Sequence, residues 1–323
     1  MRIGRDFTNC LLSDYLTEKD RNALLEGDMD LSTVNALAGE DLKRDVIGQI
    51  RAIKELGMNH LELDADPPNP YLDMSESRKE EIKKFAEEKD VTLSLHLPYT
   101  YIGASLCCFQ EADRTAAVNH AKECIQFASD VGATQLVTHP GSLPPYHGKG
   151  EYLEMAKKSL IQSLLELGEF SIAEGINLHL ENNVAFDNFL VEADDCMEVV
   201  RRVREKGAEI YFNFDIGHWF TRADAGESIP ENPVKILERI PADFMKELHL
   251  NDYVPKEKIF HPPLHLQWGP LKKKYLSEYS RIIKRKDVEV LVLETAFKSV
   301  DHFRERDSLL EKETQYVRDI FGV

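Results

Sequence analysis

Glu181, Asp215, His249 and Glu294 stand at or near the ends of four short apolar runs, INLHLENN, YFNFDIGH, KELHLND and VLVLETA. Three carboxylates and one imidazole form a donor set for a divalent ion such as Mn²⁺, Zn²⁺, Mg²⁺ or Co²⁺. One carboxylate at the end of a strand would mean little. Four donors in succession are hard to explain as packing, because a buried unpaired carboxylate is costly and no Lys or Arg stands at these run ends to neutralise them.

Two further runs, LSLHLPY and QLVTHPG, carry His96 and His139, with Pro98 and Pro140 just beyond. These histidines either bind a second ion with Glu181 as a bridge or hydrogen-bond substrate hydroxyls as neutral imidazoles. In FDIGHW, Gly217 permits a sharp exit from the strand, which turns His218 and Trp219 over a pocket. His218 is then a substrate contact or an additional ligand. Residues two apart on a strand share a face, so His179 lies one layer beneath Glu181 as a supporting polar group. Asn251 lies beyond His249, toward the mouth, within reach of substrate.

These residues need a scaffold that brings distant strand ends together. From Asp41 onward, helical and strand patterns alternate: DLKRDVIGQIRAIKELG capped by Asp41 and closed at Gly57, then HLELDAD, then SESRKEEIKKFAEEKD, then TLSLHLPY. The same step recurs through helices over 114–131, 152–174, 193–206, PVKILERI, 271–284 and 301–320. Seven strands lie between His60 and Phe297, and MRIGRDFTNC supplies an eighth. Apolar strands alternating with helices mean a parallel sheet. With neither G-x-G-x-x-G nor G-x-x-x-x-G-K-[ST] present, an open dinucleotide-binding sheet is disfavoured. The expected fold is α/β, a single-domain (β/α)8 TIM barrel over residues 1–323, with its active face at the strand C-termini. Residues 11–40 read as a long loop or short extra helix after the first strand, placed to form a lid.

The chain has 323 residues and a net charge of -17, from 40 basic and 57 acidic residues. That balance favours solubility and disfavours a polyanion such as nucleic acid as partner. No long apolar run or signal-like start is present, which predicts a cytoplasmic protein with no membrane partner. Five cysteines without a C-x-x-C pair read as free thiols. The basic runs RRVREK and KRK read as solvated helix faces. The loop 253–270, with Lys256, Lys258, His261, His265 and Trp268, reads as a substrate-recognition element.

From about His60 to Phe297, the motifs LHLEN, FDIGH, LHLND and VLET resemble the xylose-isomerase-like TIM-barrel superfamily of sugar isomerases, epimerases and AP endonucleases. The resemblance implies that Glu181, Asp215, His249 and Glu294 are the shared metal ligands. It implies that Glu181 and Glu294 are the catalytic pair, exchanging a C–H proton through a metal-stabilised enediolate of a small carbohydrate substrate. It also matches His96 and His139 to the ligands of another zinc in the endonucleases. His218 and His265 match histidines that hold a third zinc there together with an aspartate. Here that aspartate is Pro263, which puts a complete three-zinc site in doubt. Substrate contacts are expected from His218, Trp219, Asn251 and His265. The leading expectation is a metal-dependent sugar isomerase or epimerase. The alternatives are an endonuclease-like zinc phosphodiesterase acting on DNA and a catalytically silent metal-binding barrel.

Overall fold

The computed structural model describes residues 1–322. Its eight barrel strands are β1 (Arg2–Asp6), β2 (His60–Asp64), β3 (Thr92–His96), β4 (Gln135–Thr138), β5 (Asn177–Glu181), β6 (Tyr211–Asn213), β7 (Glu247–Leu250) and β8 (Val290–Glu294). They form one sheet in the order β6-β5-β4-β3-β2-β1-β8-β7, and every pairing is parallel. Backbone ladders join seven pairs of neighbours. Across the remaining seam, between β6 and β7, the Asn213 side-chain oxygen accepts the His249 backbone N–H at 2.8 Å. The result is a nearly closed (β/α)8 barrel in a single domain, as the alternation predicts.

Period-two alternation divides the strands into two faces. Leu61, Leu63, Leu93, Leu95, Leu178, Leu180, Leu248 and Leu250 are at most 1% exposed and belong to the apolar core. Each contributes roughly 1.5–3 kcal/mol by leaving water. The residues between them point inward and are largely polar. His60 Nε2 meets Ser94 Oγ at 2.9 Å, Ser94 Oγ donates to Glu62 at 3.1 Å, and Glu62 reaches across the barrel to His249 Nε2 at 3.1 Å. Gly4 makes room for this column, since a Cβ there would lie 2.3 Å from the His60 carbonyl oxygen.

The helices behind the strands include α3 (Val46–Glu55), α4 (Glu76–Glu88), α5 (Glu111–Asp130), α6 (Gly150–Ala173), α7 (Ala193–Glu205) and α10 (Lys273–Arg285). PVKILERI forms a 3-10 turn and the one-turn α9 (Ile236–Arg239), and the final helix breaks at Glu305 into α11 (Val300–Arg304) and α12 (Arg306–Phe321). No helix among the described residues is long and apolar enough to cross a membrane, and all five cysteines are free thiols.

Of the two expectations for the segment 11–40, a long loop or a short extra helix, the structure has helix, and more than one. The segment holds a 3-10 turn, Leu12–Tyr15, then α1 (Glu18–Glu26) and most of α2 (Leu31–Arg44). Thr17 caps α1 and Asp30 caps α2. Asp41 therefore lies inside α2, and the cap of α3 is Asp45, whose carboxylate accepts the Gly48 N–H at 2.9 Å. The apolar pattern does not announce α1 because that helix buries only Leu24. α1 packs on α11, and α2 on the turns 12–15 and 70–73, so both lie beside the loops that follow β8, β1 and β2.

Candidate metal centre

The strands deliver their polar ends to one point. Glu181 ends β5 at 0% exposure, and its two oxygens face four imidazoles. Oε2 lies 3.2 Å from both His96 Nε2 and His139 Nε2. Oε1 lies 3.1 Å from His218 Nδ1 and 3.2 Å from His249 Nδ1. Glu294, at the end of β8, lies 3.2 Å from the same His249 Nδ1. Asp215 follows β6 and caps α8 (Ile216–Phe220) by accepting the His218 N–H at 2.6 Å. Single donor atoms of Glu181, Asp215, His249 and Glu294 all lie within 4.8 Å of one another.

Second partners fix which ring nitrogens carry protons. His96 Nδ1 donates to the Leu97 carbonyl at 2.9 Å. The Asn183 amide nitrogen donates to the Gly141 and Phe189 carbonyls, so its oxygen must accept from His139 Nδ1 at 3.0 Å. His249 Nε2 faces Glu62, at 3.1 Å. In neutral form these three rings therefore aim lone pairs at carboxylate oxygens. Only added protons or a cation between them relieves that opposition, and a metal ion is the cation such a donor set fits.

The electrostatics agree. Burial pulls His96 and His218 down, but Glu181 for the first, and Asp215 with Glu181 for the second, outweigh it and push both up to about 10. His249 is likewise driven well above its ordinary value, against burial, by Glu294, Glu62 and Glu181. Burial would raise Glu181, yet His249, His139 and His218 hold it well below the usual range. Asp215 is raised to about 7, chiefly by burial.

A cavity of about 110 Å³ opens above this cluster, lined by Asp6, Asn9, Glu62, Asp64, His96, Tyr99, His139, His218, His261, Glu294 and Thr295. No Lys or Arg is among them. A larger groove, about 710 Å³, lies on the outer wall between α3 and α12, away from the donor cluster.

Sequence reasoning placed His96, His139, Glu181, Asp215, His218, His249 and Glu294 at the active face, and the structure brings all seven together. Asn251 is buried between two of them: its amide donates to Asp215 and, at 2.8 Å, to Glu294. Gly217 serves this contact, because a Cβ there would fall 1.6 Å from the Asn251 side-chain oxygen. Trp219 turns away from the cavity, donates to Glu192 at 3.0 Å and lines a separate hollow with Arg222 and Pro233. His265 also lies outside the cavity, on the turn Leu264–Leu266.

His261 stands in the pocket instead. Its left-handed backbone (φ +53°) is pinned by its N–H to the Asp252 carbonyl and by its carbonyl to the Ala296 N–H. Its Nε2 is unpartnered among the described residues, and burial lowers it to about 3. Asp6, Glu62, Asp64 and Tyr99 were not anticipated. The signal for Asp6 and Asp64 was present, since both end strands as Glu181 and Glu294 do. Nothing in the sequence marked Tyr99, whose ring stacks on His139 with centroids 5.0 Å apart.

The family model described as xylose isomerase-like TIM barrel matches residues 50–320. An uncharacterized protein of Methanocaldococcus jannaschii is 27% identical over 169 residues, which cover 52% of this chain and 59% of that protein. The match thus spans under two thirds of that relative. Among solved structures, D-psicose 3-epimerase of Clostridium cellulolyticum H10 with D-tagatose superposes at TM-score 0.65 and 14% identity, covering 100% of this chain and 98% of that one. A putative xylose isomerase of Rhodospirillum rubrum gives 0.67 at 13%, covering 99% of each. An IolI protein with a binding zinc atom gives 0.63 at 12%, covering 100% and 98%. At such identities the structural likeness establishes the barrel, and the sequence match establishes more: the chain belongs to the xylose isomerase-like TIM barrel family.

Proposed function

We propose that the protein is a divalent-metal-dependent isomerase or epimerase acting on an uncharged small sugar or related polyol. The observation that carries this reading is the convergence of Glu181, Asp215, His249 and Glu294 within 4.8 Å, beneath a cavity lined by no Lys or Arg. The sugar epimerases among the structural neighbours support the same class.

Those four residues would hold the ion, which would supply Lewis-acid polarisation of a substrate carbonyl and so acidify the C–H bond of the adjacent hydroxyl-bearing carbon. Glu181 and Glu294 then take and return that proton as general base and acid. His249 is held in place from behind by Glu62, and Asn251 fixes the spacing of Asp215 and Glu294. His218 and His261 present ring nitrogens to substrate hydroxyls. The cavity has no Lys or Arg to pair with a phosphate, so an unphosphorylated substrate fits it best.

The test combines elemental analysis of the purified protein with NMR in D₂O against a panel of free ketoses and aldoses. One ion per chain and solvent deuterium entering a substrate C–H position are expected. Glu181→Gln and Glu294→Gln should each abolish that exchange with the ion retained. Exchange that persists in either variant would overturn the two-carboxylate mechanism.

A second reading, a phosphodiesterase with two or more zinc ions, is favoured by two further donor sets that include Glu181, namely His96–Glu181–His249 and His139–Glu181–His218. Two or three zincs per chain and cleavage of abasic DNA would put this reading first.

A further inference from the structure

We infer that the mouth of the barrel on its β3 to β7 side binds additional sugar units, so that the substrate is a glycoside or short neutral oligosaccharide rather than a free monosaccharide. The inference rests on the sugar isomerase or epimerase reading and names the substrate class of that site.

Large apolar side chains left exposed are concentrated around this mouth. Tyr99, Tyr101 and Ile102 follow β3, Tyr146 follows β4, Tyr152 begins α6, and Phe186 follows β5. Tyr101 is 82% exposed and Tyr146 70%. The loops that carry them are in mutual contact. The Ser142 N–H donates to the Ala104 carbonyl, the Leu143 N–H to the Asp187 carbonyl, and the Phe186 ring sits 6.4 Å from Phe260. His147 lies against Tyr146 and Tyr152, with centroids 4.4 and 4.6 Å away. These successive loops form an arc around the mouth, and it meets the cavity at Tyr99 and, next to Phe260, at His261.

The chemistry of the arc selects its occupant. Segments 97–110 and 140–148 contain no Asp, Glu, Lys or Arg, in a chain of which 30% is charged. Lys258 lies over the Phe186 ring at 5.2 Å, so the uncharged part of the arc is the loops after β3 and β4, which offer a polyanion no cationic track on so acidic a protein. A rim of tyrosines also suits a second protein surface, which sedimentation of the free protein tests. Tyrosine and histidine offer a flat apolar face and a polar edge, matching the C–H faces and hydroxyls of a pyranose. Since the arc continues from the cavity, what it covers is the continuation of the substrate.

The experiment measures binding of the purified, metal-containing protein to a series of neutral mono-, di- and trisaccharides by calorimetry. Sedimentation of the free protein is run in parallel. We expect at least one di- or trisaccharide to bind about tenfold more tightly than its own terminal monosaccharide. Tyr101→Ala with Tyr146→Ala should remove that increment and leave monosaccharide binding unchanged. Both side chains are exposed, and unaltered melting of the double variant verifies its fold. If monosaccharides bind or turn over but no glycan shows the increment, or the double variant keeps it, the inference falls and the functional reading stands. If no sugar binds at any length, both fall. A self-association lost in the double variant would assign the arc to a second copy and overturn the inference.

Discussion

Two buried glutamates in this barrel have opposite surroundings. Glu313 on α12 and Glu181 at the end of β5 are both 0% exposed. Glu313 meets donors whose protons are fixed: Arg5 at 2.9 Å, the Leu264 N–H at 2.6 Å and the Thr295 hydroxyl at 2.7 Å. Glu181 meets four imidazoles, and in three of them the second ring nitrogen already commits its proton elsewhere or to another carboxylate. A carboxylate satisfied by permanent donors holds the fold. One that faces lone pairs leaves room for a cation. Burial alone does not separate the two cases; the partners do.

The contrast can be broken by substitution. Glu181→Gln should lower turnover by about 10²–10⁴-fold, with a smaller loss in the urea midpoint of the metal-free protein than Glu313→Ala causes, because the facing imidazoles can give up their protons and Arg5 cannot. Glu313→Ala should do the reverse. Arg5 is then left buried without its partner, at a cost of about 3–5 kcal/mol in urea unfolding, while the folded fraction keeps most of its turnover. Equal loss of stability in both variants would erase the distinction.

Glu62→Gln refines it. The neutral amide keeps its shape but weakens the hold on His249 Nε2, and about 10- to 100-fold lower metal affinity is expected by competition with a chromogenic chelator. An unchanged affinity would reduce Glu62 to a packing residue.

The smallest expected effect is on pH dependence. His96 and His218 ordinarily titrate at 6.5 and are raised to about 10 in the folded chain. Their contribution to the metal-free protein is therefore complete below pH 6.5 and lost as pH rises toward 10. The chelated protein should melt at lower temperature across that window. Affinity for added ion should rise across it, because binding displaces protons. A flat melting profile would mean that these rings are neutral without metal.

The barrel was legible because nearly every strand is an apolar run ending in a polar residue, and β/α alternation leaves little freedom in topology. The donor cluster was legible for the same reason: a strand end fixes where its last residue points. Asp6 and Asp64 obey the same rule, ending the strands RIGRD and HLELD as Glu294 ends VLVLE. Loops do not obey it. His265 was expected in the pocket, and His261 stands there because Pro262 and Pro263 carry the chain away after a left-handed turn that no spacing announces. Asn251 points where expected, but the depth to which it sinks between Asp215 and Glu294 depends on the absence of a side chain at Gly217.

The seam between β6 and β7 gives the cluster a mechanical meaning. Where the other neighbouring strands share a backbone ladder, this pair is linked by the Asn213 amide, and Asp215 and His249 stand on its two sides. An ion gripping both residues would act as a clasp across an open hoop. On the proposed reading, catalytic readiness and closure of the barrel would become a single event, and removing the ion would free one stave of the cylinder.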